Sequence, residues 1–357
     1  MMKDNGITVR ASIDLPLEPA AAFDAIVEEL TRALTRLGIH LDAGSEGRVM
    51  QGAFEVGRIV AWEPGKRVAV AWRQASWEPD EVTEIEFLFK EVEGGTQVNV
   101  EHHRWGRLLG DGGEIAGWFA SEITAPLLHA MTPEALGDWL TDRMARRPSG
   151  TQARAFYGDP LYHYPNFRVL LSELALTPDD YLLEVGCGGG VLLKEALQSG
   201  CRAAGIDHSL DMVALARDVN RDAVSTGRLK IVEASADQLP FADDTFTCAT
   251  MTGVIGFLPD PARALAEIRR VLVKGGRLVA LGSDPKLRGT WAVPKPMAAR
   301  LRFFEDDELG SFAHKAGFAR VRVVRRNLEA FAQEVGVPQE HLSLFADDTS
   351  FLLAQKE

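Results

Sequence analysis

Two domains of different fold class are predicted, an α+β domain over residues 1–146 and an α/β domain with a doubly wound sheet over residues 147–357. Three observations carry this. Residues 7–105 are mainly short alternating apolar segments, separated by turn pairs such as Pro64-Gly65 and Gly94-Gly95, as in antiparallel strands. After residue 151, strand-like runs alternate with helical ones, the pattern of a parallel sheet covered on both faces. Between the halves, Arg146-Arg147-Pro148-Ser149-Gly150-Thr151 is polar, with proline and glycine, and reads as a linker.

A chain of 357 residues, 46% hydrophobic and 25% charged, has the length and composition for two filled cores. It has no run of about 18 apolar residues, so no membrane span is expected. Its start, Met1-Met2-Lys3-Asp4-Asn5-Gly6, lacks a signal-peptide core. Cys187, Cys201 and Cys248 are odd in number and without metal-ligand spacing. They suit a reducing, cytoplasmic setting, and no metal is expected. The net charge is −12: residues 1–150 hold 15 Lys+Arg against 24 Asp+Glu, and the remainder holds 24 against 27. An acidic chain repels polyanions, which disfavours nucleic acid as a partner. The basic cluster Arg143-Met144-Ala145-Arg146-Arg147 is too short to reverse this and reads as the charged end of a helix.

In the first half, Ile7–Leu15 alternates as a strand and Ala20–Leu37 is an amphipathic helix. Strands follow at Arg48–Gln51, Val56–Trp62, Arg67–Trp72, Val82–Lys90 and Thr96–His103, and a helical tract runs from about Glu114 to Ala145. This order implies a sheet curled around the final helix. Alternation puts His102 and His103, just ahead of Trp105, on opposite faces, one in the core and one at the surface. The run from Gly57 to Trp72, with Gly94-Gly95-Thr96-Gln97-Val98, resembles the START-like superfamily, in the branch related to the activator of Hsp90 ATPase. The resemblance implies a cavity between sheet and long helix, used for apolar ligands in some members and for protein contacts in others. The Trp-containing segment common in that branch after the first helix is missing here.

The second half opens on Tyr181-Leu182-Leu183-Glu184-Val185-Gly186-Cys187-Gly188-Gly189-Gly190, a strand with an acid near its end and a glycine turn. A helix over 190–198 follows, then strand Arg202–Asp207, helix 209–218, strand Leu229–Ala234, strand Thr245–Met251, helix Ala262–Leu272 and strand Gly276–Gly282. Strand, glycine turn and helix form the opening unit of a nucleotide-type site. A dinucleotide fingerprint needs a third glycine at the sixth place, which is Val191. Glu184 would also repel a pyrophosphate. A ligand with a positive centre and an amino group suits it better, which points to S-adenosylmethionine.

Residues 178–284 resemble a class I S-adenosylmethionine-dependent methyltransferase with a Rossmann-like fold, of the small-molecule ubiquinone/menaquinone-biosynthesis type. The carrying motifs are the glycine turn, Gly205-Ile206-Asp207, Ala234-Ser235-Ala236-Asp237-Gln238-Leu239-Pro240-Phe241, Leu258-Pro259-Asp260-Pro261 and Arg270–Leu278. The resemblance implies that Asp207 accepts the ribose hydroxyls, that Asp237 accepts from the adenine amino group, and that the Ala236 backbone meets a ring nitrogen. Met212 would cover the adenine. Glu184, Gly186, Cys187, Gly188, Gly190, His208, Gln238 and Thr252 complete the expected cofactor set. Two departures stand out. Thr247 replaces an aspartate, which should alter only strand-end packing. Gly256 and Phe257 stand where a histidine is frequent, which should leave the pocket roomier or more apolar.

Methyl transfer needs placement more than acid–base chemistry. The aromatic segment Phe156–Pro165 corresponds to a covering segment in related enzymes. Tyr157 as cofactor cover and His163 as proton acceptor are the catalytic candidates, with His341 a weaker one. The segment 284–304, with Trp291, Pro294, Pro296 and Met297, would supply an apolar wall for the acceptor. A small, apolar or aromatic acceptor is expected, with the N-terminal domain shaping access or assembly. A cofactor-binding regulator, an enzyme acting on a docked protein, and a homodimer stay open.

Overall fold

The computed structural model describes residues 9–15, 17–36, 38–73, 82–103, 138, 141–290, 292–293 and 295–357. The chain separates into two compact units, Met1–Leu136 and Gly137–Glu357.

The first unit is an antiparallel sheet of seven strands: β1 (Val9–Leu15), β2 (Ile39–Leu41), β3 (Arg48–Gln51), β4 (Phe54–Glu63), β5 (Arg67–Trp72), β6 (Thr83–Val92) and β7 (Gly95–His103). Their order is β1-β7-β6-β5-β4-β3-β2, with helix α1 (Pro19–Arg36) inserted between β1 and β2. Ala22, Phe23, Ile26, Leu30 and Leu34 recur at helical spacing and form the buried stripe of α1. Phe23 meets Trp62 edge-on at 5.0 Å and Phe89 at 5.2 Å, so helix and sheet share one core. Strand β2 escapes the sequence pattern because three residues are too few to show alternation. Leu30, Leu34, Trp72, Ile85 and Phe87 bound a wholly apolar pocket here. The long helix expected from Glu114 lies almost entirely outside the described residues, as does Trp105.

His102 is buried, and its Nε2 lies 2.7 Å from Thr83 Oγ1. Burial, with a contribution from His103, lowers its pKa to about 3. On the opposite face, His103 converges with Glu86 and Glu101 as metal ligands could. However, Arg67 already pairs with Glu86, and Arg10 with Glu101 at 3.1 Å.

The second unit holds the other sheet: β8 (Tyr181–Val185), β9 (Arg202–Asp207), β10 (Leu229–Glu233), β11 (Phe246–Thr252), β12 (Leu272–Leu281), β13 (Arg322–Arg326) and β14 (Thr349–Gln355). The order is β10-β9-β8-β11-β12-β14-β13. Strands β8 to β12 pair in parallel, whereas β14 runs antiparallel to both β12 and β13, so the sheet is not uniformly parallel. The longer helices are α2 (Gly150–Gly158), α3 (Tyr164–Leu174), α4 (Val191–Ala196), α5 (Leu210–Val219), α6 (Pro261–Val271), α7 (Asp306–Lys315) and α8 (Glu329–Glu334). The sheet divides the core in two: Leu182, Cys248 and Val279 belong to one cluster, while Leu183, Ala249 and Leu278 belong to the other. This is the period-2 signature of a sheet covered on both faces. At its amino end, Asp180 takes a two-pronged bond from Arg277 at 3.0 Å and one from Thr247 Oγ1 at 2.6 Å. Thr247 therefore serves strand-end packing.

Candidate cofactor-binding site

The carboxyl ends of β8 and β9 bring the glycine turn against Asp207. Gly186 and Cys187 donate their N–H groups to Ile206 O at 2.8 and 2.9 Å, and Gly188 N–H donates to Asp207 Oδ2 at 2.9 Å. Gly188 and Gly190 hold positive φ, 49° and 75°. A second pressure acts on the turn. A Cβ on Gly189 would lie 2.0 Å from Tyr157 O, and one on Gly190 would lie 2.8 Å from Asn220 Nδ2. Neighbouring chain thus enforces these glycines before any ligand does.

The acids are more telling. Glu184 and Asp207 are only 3% and 8% exposed. Asp207 is satisfied, since its Oδ1 accepts from Ser209 N at 2.9 Å while Oδ2 takes Gly188 N–H. Among the described residues, Glu184 Oε2 has no partner, nor do Thr250 Oγ1 and Thr252 Oγ1. Glu184 and Thr250 are register partners on β8 and β11, and Thr252 follows two residues on along the same face. Burial and the neighbouring Asp207 push the Glu184 carboxyl well above its usual range. Burial also raises Asp207, against the opposing pull of its N–H donors, and it raises the Cys187 thiol. Two buried carboxyl groups with one unpartnered oxygen between them form a site that calls for a cation.

Beyond Asp207 the tips of β9 and β10 open into a cleft of about 600 Å³, lined by His208, Glu233 and Ser235 and, from the segment before α2, Asp142, Arg146 and Arg147. His208 is exposed and Ala236 is buried. Asp237 accepts from Ser235 Oγ at 2.6 Å and lies 3.7 Å from Arg263, and Gln238 is exposed beside it. Met212, in the first turn of α5, is completely buried.

Residues 183–280 match the family model described as a methyltransferase domain, and residues 28–121 match the activator of Hsp90 ATPase homolog 1-like family. The second unit carries a methyltransferase domain. Demethylmenaquinone methyltransferase of Lactiplantibacillus plantarum is 28% identical over 196 residues, 47% of this chain and 83% of that protein. A ubiquinone/menaquinone biosynthesis C-methyltransferase of Geobacter sulfurreducens is 39% identical over 111 residues, 30% of this chain and 43% of that protein. Apart from the first, the chain spans about a third to two thirds of the curated relatives it matches. A solved S-adenosylmethionine-dependent methyltransferase from Aquifex aeolicus covers 58% of this chain and 98% of its own, at 18% identity and a TM-score of 0.45. That score is low, and the fold rests instead on the strand order.

In the methyltransferase domain, Tyr157 lies over the glycine turn: a Cβ on Gly188 would approach its Cδ1 to 2.9 Å. The Tyr157 hydroxyl donates to Met144 O at 3.2 Å, and burial and Asp207 raise its pKa. The His163 ring is 6.3 Å from that of Tyr157 and stacks on Phe167 at 6.1 Å, and burial lowers its pKa to about 4. His163 is therefore neutral near pH 7. His341 meets Tyr162, its Nδ1 2.7 Å from Tyr162 Oη.

Gly256 does not widen the pocket. A Cβ there would stand 2.3 Å from Ser283 Oγ and 2.4 Å from Leu301 Cδ1, and Arg302 N–H donates to Gly256 O at 3.0 Å. The chain at 301–302 fills the room that a side chain would take. The described part of the segment after β12 carries both apolar and basic side chains. Val293 and Met297 are buried, but Arg288 and Arg302 lie over the rings of Phe303 and Phe304 at 4.6 and 5.5 Å. Trp291 and Pro294 lie outside the described residues, and the Pro296 side chain is likewise not described. Sequence reasoning passed over Thr250, whose only signal was its i−2 spacing from Thr252.

Proposed function

We propose that this chain transfers a methyl group from S-adenosylmethionine to a small, apolar or aromatic organic acceptor. The observation that carries the reading is the buried, unpartnered Glu184 Oε2 beside Asp207. A ligand with an ammonium and a sulfonium compensates these carboxylates, while a pyrophosphate would meet two like charges at short range. The same residue types suit the rest of the ligand. Asp207 keeps lone pairs for the ribose hydroxyls, Asp237 for an adenine amino group, and the Thr252 hydroxyl can take a further polar contact. The Ala236 backbone, His208 and Gln238 complete the nucleoside side, and Gly186, Cys187, Gly188 and Gly190 the turn beneath it.

When bound, the cofactor supplies an activated methyl group, so the protein's task is to align the acceptor and exclude water. Tyr157 covers the turn. His163, neutral and with the rings of Phe156, Tyr157 and Phe167 around it, takes a proton from the acceptor where one must leave. The quinone-ring chemistry in the names of the relatives supports a flat aromatic acceptor. The N-terminal domain, residues 1–146, shapes access of that acceptor or assembly.

The test is calorimetric titration of the full chain with S-adenosylmethionine, paired with methyl transfer to candidate aromatic acceptors. Asp207→Ala should weaken binding at least about tenfold, the loss of a charge-assisted hydrogen bond. Unchanged affinity would sink the ribose contact.

A further inference from the structure

The segment that leads into the methyltransferase domain is bound to the proposed cofactor site more closely than a tether requires. Asp142–Arg146 forms a short π-helical turn, and Asp142, Arg146 and Arg147 line the open cleft opposite His208, Glu233 and Ser235. Three bonds fix the segment there. Ser209 Oγ donates to Pro148 O, Gly150 N–H donates to Asp211 Oδ2 at 2.7 Å, and the Tyr157 hydroxyl donates to Met144 O. Arg154 Nη1 adds a long contact to Asp211 O at 3.4 Å.

Ser209 is the pivot. Its N–H holds Asp207 Oδ1, its Oγ accepts from Met212 N as the cap of α5, and the same Oγ donates to the linker. The carboxylate assigned to the ribose and the linker carbonyl thus hang on one residue. Arg146 is occupied by Asp142. Arg147 is exposed and makes no ion pair among the described residues, so its flat guanidinium is available to a purine face.

We infer that residues 142–150 are the outer wall of the nucleoside pocket, so that binding the cofactor and closing this segment are one equilibrium. The inference rests on the S-adenosylmethionine reading above. It gives the fusion a physical meaning: the stretch of chain arriving from the N-terminal domain is itself a cofactor-binding element.

Trypsin provides the test on the full chain. The bonds Arg143–Met144 and Arg146–Arg147 are susceptible, Arg147–Pro148 is resistant, and Arg320–Val321, in an exposed bend before β13, serves as reference. Cleavage requires local opening of the segment. Saturating S-adenosylmethionine should slow the linker cuts at least about tenfold more than the reference cut, because closure is coupled to binding whereas general stabilisation slows both alike. Asp211→Ala, which removes the Gly150 acceptor and touches no proposed cofactor contact, should speed the linker cuts. It should also weaken S-adenosylmethionine about three- to tenfold, the value of one hydrogen bond. Circular dichroism confirms that the variant is folded. If calorimetry shows tight binding while linker and reference cuts slow equally, or if Asp211→Ala opens the linker with affinity unchanged, the wall is overturned and the cofactor reading survives. If the intact chain binds no S-adenosylmethionine, both fall.

Discussion

Glu184→Gln tests the centre of the proposed site because it should move stability and affinity in opposite directions. The substitution keeps the shape of a side chain that is only 3% exposed and removes its ability to ionise. In the free protein the Glu184 carboxyl is raised well above 4.5, its ordinary value, by burial and by Asp207. A group whose folded-state pKa is raised binds more protons in the folded than in the unfolded chain between the two values. Stability is therefore present below the unfolded pKa and falls as pH rises toward the folded one. The slope is at most about 1.4 kcal/mol per pH unit. Glutamine has no such fall, so at pH 8 the ligand-free variant should be more stable by at least about 1 kcal/mol. For a domain of this size that is roughly 2–4 °C in melting temperature. Cofactor affinity should drop, since a buried hydrogen bond between charged groups contributes about 1.5–3 kcal/mol, or about 10- to 150-fold in Kd. Wild-type affinity should also rise with pH, because a cation binds the ionised carboxylate and displaces its proton, and the variant should lose that dependence. Differential scanning fluorimetry reads the first effect, and calorimetry in buffers of different ionisation enthalpy reads the second. A variant that melts lower without ligand and binds as wild type would refute the assignment of Glu184.

Three further outcomes are expected. Gly189→Ala places a methyl 2.0 Å from Tyr157 O and should cost about 1–3 kcal/mol in urea unfolding and loosen the cofactor, whereas Gly253→Ala, at φ 69° in open space, should cost about 1–2 kcal/mol from backbone strain alone. For Asp180, burial pushes the carboxyl up, but bonds from Arg277, Thr247 and Thr177 outweigh it and hold the pKa below the usual range. That stabilisation is present above pH 4 and is lost as acid protonates the folded carboxylate. Arg277→Ala should accordingly cost about 2–3 kcal/mol at pH 7, allowing for solvent at the guanidinium, and flatten the acid limb of the stability curve. His163→Phe preserves the aromatic stack. A proton-acceptor role predicts a large loss of turnover on a hydroxyl acceptor with cofactor affinity intact, and a rate insensitive to pH above about 5 in the wild type, given a pKa of about 4. Full turnover in the variant would remove His163 from the chemistry.

Local spacing made much of the fold legible. The helical stripe of α1, the alternation of β4 to β7 and the strand–helix rhythm after residue 180 are short-range patterns, and the structure follows them with ends shifted by a residue or two, except that β12 begins at Leu272 rather than Gly276. The sequence marks a last strand at Ser350–Ala354, but not that it runs antiparallel, because direction depends on the route of the chain between strands rather than on the composition of the strand. Gly256 was misread for a related reason. Its absent side chain looked like free volume, but Leu301 and the Arg302 carbonyl, some 45 residues on, occupy that volume.

Residue order alone places an acid one residue before the end of β8, glycines after it, and a second acid at the end of β9 a fixed distance later. These are properties of neighbours along the chain. It took the folded arrangement to give each Asp207 oxygen one backbone N–H, to leave Glu184 Oε2 without a partner among the described residues, and to tie Ser209 to Pro148, 61 residues away. The reason is physical. Whether a buried polar group is satisfied depends on what folding brings to within about 3 Å of it, and spacing in sequence does not encode that distance.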